Sequence, residues 1–297
     1  MKNPKQLFTV RKVGIGFLVL AFWLFIWQIA YSLVGSDLLI SSPMTVLRRF
    51  IQLAGTAEFW LIIGRSFARI MIGFLLALLT GTLLGTITSH VPALDQLIRL
   101  PMSMIKATPV ASFVILALMW LSGRNLSIFI CFLVVLPMIW TSVDQGFRSV
   151  DPKLLEVGKV FHLSIGQRIR AIYVPAILPY LLSTLRVAIG FVWKSGVAGE
   201  VIAAPQGTIG RQLYDAKVYL ETADLFTWTF VVIVLSIIIE KLVILLIDRV
   251  AARYSALGAA GRETEPEEHA FAEEDDSFIN QENNAFPDPF KEKETKA

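Results

Sequence analysis

Apolar and polar positions along this chain fall into long blocks rather than short alternations. Residues 13–35 are apolar apart from Gln28 and Ser32, and about 20 such residues cross a bilayer as a helix. The run is longer than a signal-peptide core and no small-residue cleavage site follows it, so it is read as a retained first span. Further apolar blocks predict spans near residues 69–89, 102–121, 128–141, 176–195 and 225–247, the last closed by Asp248 and Arg249. Pro137 lies inside the fourth and is expected to kink it. Residues 43–53 are amphipathic, carry Arg48 and Arg49, and suit the outer interface. A polar loop with Pro205 and Gly207 is expected between the fifth and sixth spans. The fold expected is all-α and polytopic, with about six transmembrane helices. Residues 1–12 form a polar N-terminus, 13–258 the membrane domain and 259–297 a tail.

The longest polar interruption, residues 151–179, carries the densest local signals. Asp151 is a good N-cap and Pro152 suits the first helical position, where its missing N–H costs nothing. Leu154, Leu155, Val157 and Phe161 give an apolar side, with Lys153, Glu156 and Lys159 on the polar one. Gly158 weakens this short helix. Ser164 and Gln167 fit a capping box that starts a second helix, so the pattern predicts two short helices joined by a turn near His162–Leu163. Such a unit beside a bilayer is either a docking surface or an ordinary amphipathic loop. In the second span, Gly73, Ala77, Gly81 and Gly85 recur every four residues and make a small-residue stripe for helix packing.

Composition agrees with a membrane protein: 55% of the 297 residues are hydrophobic, 17% are charged, and the mean hydropathy is +0.63. The net charge of +3 is uneven, because residues 259–297 hold 12 acidic and 4 basic residues. That tail has little apolar content and is expected to be disordered. The basic remainder suits lipid and topology better than nucleic acid. Lys and Arg favour the side shared by the termini and residues 151–173 by 12 to 6, which puts both termini and that loop in the cytoplasm.

The chemistry of an enzyme is missing from the sequence. Cys131 is the single cysteine, and His90, His162 and His269 are scattered, so neither a metal centre nor a bound cofactor is expected. No Walker A, HExxH, GxSxG or CxxC pattern occurs. Lys106, Arg186, Lys194, Glu200 and Glu240 are ionisable residues in or beside apolar runs, where such groups pair, snorkel or line an aqueous path. Lys194 and Glu200 are read either as a pair or with Lys194 attracting an anion.

Glu156-Val157-Gly158, then Val174-Pro175 and Ile177-Leu178-Pro179, resembles the cytoplasmic EAA loop of binding-protein-dependent ABC importer permeases. Ser42-Pro43-Met44-Thr45-Val46, Ala107-Thr108-Pro109, Val150-Asp151-Pro152, Leu185-Arg186-Val187-Ala188 and Ala198-Gly199-Glu200-Val201-Ile202 are similar to the nitrate/sulfonate/taurine-type subgroup. The resemblance covers roughly residues 10–254. Val157-Gly158 stands in place of the paired alanines, and His162 where the family usually has glycine. The resemblance implies a permease subunit in a bacterial plasma membrane, carrying a small anion or organosulfur solute. It implies three partners: a separate ATPase subunit, an extracytoplasmic solute-binding protein, and a second permease copy, most simply as a homodimer. Leu155, Glu156, Gly158, Val160, Phe161 and His162 would dock the ATPase, with Glu156 as the exposed contact and Leu155, Val160 and Phe161 as the apolar anchor. Lys106, Arg186, Lys194 and Glu200 are candidates for the translocation path. The competing readings are a self-sufficient carrier or channel, lacking a visible coupling-ion site or repeat, and an intramembrane enzyme, lacking a catalytic set.

Overall fold

The computed structural model describes residues 4–262, and among them the regular structure is helical, with no strand. The chain divides into two units, Met1–Ile247 and Asp248–Ala297. The described part of the second unit, residues 248–262, is helical. Most of the expected disordered tail therefore lies outside the described residues. The helices are α1 (Pro4–Val34), α2 (Pro43–Ala54), α3 (Ala57–His90), α4 (Pro92–Ala107), α5 (Val110–Ala117), α6 (Gly123–Arg148), α7 (Pro152–Val160), α8 (Ile165–Arg168), α9 (Val174–Ala203), α10 (Ile209–Val218) and α11 (Thr222–Arg262). A wide π turn, Ile169–Tyr173, joins α8 to α9.

Among the described residues four stretches, lying in α3, α6, α8–α9 and α11, are long and apolar enough to cross a membrane. The apolar part of α1, Leu18–Val34, is at the short end of spanning length. The expected third span is corrected: it is a pair, α4 and α5, bent by 103°. The cause is local. Pro109 disfavours a helical conformation at Thr108, which is extended at φ −84°, ψ 130°. By contrast α6 runs on through Pro137. The expected loop after the fifth span also contains a helix, α10, capped by the Thr208 hydroxyl accepting from Arg211 N–H.

The core forms where α6 meets α3 on one side and α9 on the other. A Cβ added at Gly73, Gly81 or Gly85 would lie 2.7, 2.9 or 2.8 Å from the Cβ of Cys131, Ile139 or Val143 respectively. The offset between partners is constant, so α3 and α6 run parallel with their backbones in close approach, and Ala77 is fully buried in the same stripe. Helix α9 runs antiparallel to α6: Gly146 meets Ile177, and Gly196 meets both Cys131 and Ile70. Two buried tryptophans find partners for their indole N–H groups. Trp140 donates to Thr88 Oγ1 at 2.9 Å and Trp193 to the Val232 carbonyl at 3.2 Å.

Helix α2 has the expected amphipathic character and is tied down by charge. Arg49 donates to both carboxylate oxygens of Asp224 at the start of α11, at 2.5 and 2.8 Å. That bidentate bond pushes the Arg49 guanidinium above its ordinary pKa. An arginine on the sparsely basic side of the chain is thus neutralised locally.

Close approach sets the tolerance of this core. Gly81→Ala adds a methyl against the rigid branched side chain of Ile139 and is expected to cost about 1–3 kcal/mol. Gly64→Ala, where a Cβ meets nothing within 4 Å, is expected to leave stability unchanged or slightly higher. Thermal unfolding in detergent, followed by the fluorescence of the buried tryptophans, distinguishes the two.

Candidate functional site

At the end of the bundle where α6 hands over to α9, Asp151 Oδ1 accepts from Lys153 N–H at 2.9 Å and starts α7. The helix stops in a Schellman turn: Leu163 N–H donates to the Gly158 carbonyl at 3.0 Å and His162 N–H to that of Lys159 at 3.0 Å. His162 takes the left-handed conformation this turn requires, at φ 49°. Arg168 Nε braces the turn from the far side by donating to the Leu163 carbonyl. The capping box is present, with Ser164 N–H donating to Gln167 Oε1 at 2.8 Å and Gln167 N–H to Ser164 Oγ at 3.4 Å.

This geometry separates the candidate docking residues into two sets. Gly158 is buried, and a Cβ there would lie 3.3 Å from Ile172 Cδ1, so it lets α7 sit down on the π turn. Leu155 is half-buried. Glu156, Val160, Phe161 and His162 point outward, and Val160, Phe161 and Ile165 are each more than 70% exposed. Three large apolar side chains so open within six residues make an exposed apolar patch.

Beneath this unit lies a cavity of about 500 Å³, lined by α3, α6, the π turn and α9. His90, Phe147 and Tyr173 meet in its wall with ring centroids 5.1–6.1 Å apart. At the same end Arg148 bridges two helices, donating to Asp95 of α4 at 3.0 Å and to Asp144 of its own helix at 2.9 Å, while Arg99 also holds Asp95. The pairs Asp95/Arg99 and Asp144/Arg148 are spaced four apart and legible in sequence. The bond that joins them is not.

The candidate path residues do not form one cluster. Lys106 Nζ donates to Thr141 Oγ1 at 2.7 Å. Arg186 and Lys194 both lie on the exposed face of α9. Glu200 is fully buried: its Oε2 accepts from Ser66 Oγ at 2.7 Å and Gly210 N–H at 3.4 Å, while Oε1 has no hydrogen-bond partner. Ser66 Oγ in turn accepts from Ile209 N–H at 2.9 Å. The sequence reading of Lys194 and Glu200 as a pair is therefore corrected. Six residues apart, they lie about 120° apart around the helix. Gly210 permits the arrangement, because any Cβ there would collide with Glu200. Among the described residues no group of three or more His, Cys, Asp or Glu side chains is placed to hold a metal ion.

Residues 73–256 match the family described as the binding-protein-dependent transport system inner membrane component. The chain belongs to this family of permeases. Among its curated relatives is the nitrate import permease protein NrtB of Synechococcus elongatus, 29% identical over 73% of this chain and 79% of the relative. Another is the taurine transport system permease protein TauC of Escherichia coli, 24% identical over 72% and 80%. These bear out the subgroup resemblance seen in the sequence. A bacterial ABC transporter involved in the import of the acidic polysaccharide alginate has a chain similar in fold, with a TM-score of 0.54 at 14% identity, covering 81% of this chain and 98% of its own. It supports the permease fold alone.

The left-handed position in the turn after α7 can be tested directly. His162→Gly removes the left-handed penalty of about 1–2 kcal/mol carried by a residue with a Cβ. It is expected to slow hydrogen exchange at the Leu163 amide, whereas His162→Val should speed it.

Proposed function

We propose that this chain is the membrane-spanning permease subunit of an ATP-driven importer supplied by a solute-binding protein. Its substrate is a small anion or organosulfur solute of the nitrate, sulfonate or taurine type. The observation that carries the reading is the α7 unit: a short capped helix, closed by a Schellman turn, that leaves Glu156, Val160 and Phe161 open to a partner. In this role α7 docks in a groove on a separate ATPase subunit at the cytoplasmic face, where both termini also lie. Two copies of the chain, as a homodimer, enclose the path. The exposed face of α9, bearing Lys194, suits that lining because a cation on a membrane helix needs water or a partner.

The coupling follows from how α7 is mounted. A push on α7 is received by Ile172 of the π turn, against which Gly158 rests, and α9 continues directly from that turn. The ion bridge from Arg148 to Asp95 ties α6 to α4 at the same end, so movement of the docked unit reaches three helices. A solute-binding protein delivers substrate at the opposite end.

Copurification tests the docking assignment. The wild-type chain in mild detergent is expected to bring down an ATPase subunit. Glu156→Lys and Phe161→Ala should each reduce the recovered ATPase at least about tenfold, as loss of an interface anchor does, with the permease still folded by its tryptophan melt. A wild-type chain that purifies alone and moves solute in liposomes without ATP would make the protein a self-sufficient carrier.

A further inference from the structure

At the end of the bundle opposite α7, about 39 Å away along α6, Arg65, Arg69 and Arg124 converge on one cavity of about 650 Å³. Ala204, Pro205 and Gln206 at the end of α9 complete its rim. The arginines arrive from two helices: Arg65 and Arg69 are one turn apart on α3, and Arg124 is in the first turn of α6. Among the described residues Arg65 and Arg124 make no ion pair or side-chain hydrogen bond, and Nη1 of Arg69 is buried without a partner. Arg49 and Arg211, at the same end, behave differently, for each holds an aspartate. Glu200 lies within the field of Arg69 and has one oxygen already engaged by Ser66 and Gly210.

Two backbone features shape the rim. Ala204 adopts the left-handed conformation at φ 46° and ends α9. Gly207, also left-handed at φ 68°, lets the loop pass so close to Arg65 that a Cβ would lie 2.5 Å from its Nη1. The loop thus packs directly against the Arg65 guanidinium.

We infer that Arg65, Arg69 and Arg124 form a binding vestibule for a small oxyanion, of the size of nitrate or a short sulfonate, at the mouth that receives the solute. The volume falls in the range of small-molecule sites. Guanidinium forks match the planar and tetrahedral oxygen sets of nitrate and sulfonate. The cavity lining carries three cations, and a concave site of one sign concentrates opposite charge by about tenfold or more. The inference deepens the importer reading and rests on it for the direction of travel, though not for the binding itself.

The test uses the full chain, without the ATPase, in nanodiscs of zwitterionic lipid. Gln206→Cys places a thiol on the exposed rim, Val218→Cys supplies a reference position on α10, and the native Cys131 is fully buried. The ratio of modification rates by anionic and cationic thiosulfonate reagents is expected to be about tenfold higher at position 206 than at 218. Nitrate and methanesulfonate should each slow the anionic reagent saturably. Adding Arg69→Gln with Arg124→Gln should bring the ratio to the reference value, and Arg69→Lys with Arg124→Lys should keep the charge preference. Equal ratios at the two positions would overturn the inference. So would a preference that neither anion competes, or one abolished once anionic phosphatidylglycerol is included, since the occupant would then be a lipid phosphate. The readout needs no ATPase, so its failure leaves α7 docking untouched, and failed copurification leaves the vestibule untouched.

Discussion

Everything in this bundle depends on how closely α6 can be approached. In a bilayer there is no hydrophobic gain from bringing two apolar helices together, so association rests on dispersion contact and on hydrogen bonds made in a dry setting. Both increase steeply as backbones near each other. Glycines on α3, α6 and α9 remove the side chains that would hold the helices apart, and the gaps they leave are filled by Ile139, Val143, Ile177 and Ile70. The indole bond from Trp140 to Thr88 then fixes the depth of one interface, and the bond from Trp193 to Val232 brings α11 onto α9.

Around that rigid centre the two ends of the protein differ in kind. The α7 end carries exposed apolar residues on a short capped unit, and an ion bridge with buried carboxylates beside it. The opposite end carries paired arginines where helices are pinned together and unpaired ones where a cavity opens.

The sequence made the local features legible and left the long-range ones hidden. Asp151 as N-cap, the Ser164–Gln167 box and the four-residue spacing of small residues are written in neighbouring positions, where a few dihedral angles decide the outcome. The break at Thr108–Pro109 was visible as residues but masked by apolar blocks on both sides, which hydropathy alone joins into one straight span. Helix α10 was hidden for the opposite reason: with Arg211, Gln212, Asp215 and Lys217 it is too polar and too short to show a stripe. Contacts such as Arg49 with Asp224, Asp95 with Arg148 and Ser66 with Glu200 join residues more than fifty positions apart, and only the fold brings them together.

The π turn at Ile169–Tyr173 has a geometric result of its own. Val174 N–H reaches back five residues to the Ile169 carbonyl rather than four, where the ring of Pro175, lacking its own N–H, would crowd the carbonyl four residues before it. The turn therefore holds one residue more than an α-helical path would, and each residue is worth about 100° of rotation. That single residue fixes the azimuth of the α7–α8 unit relative to the cationic face of α9. The angle between the exposed end of α7 and the face of α9 that bears Arg186 and Lys194 is set by one extra step in the backbone, independent of any side chain on either surface.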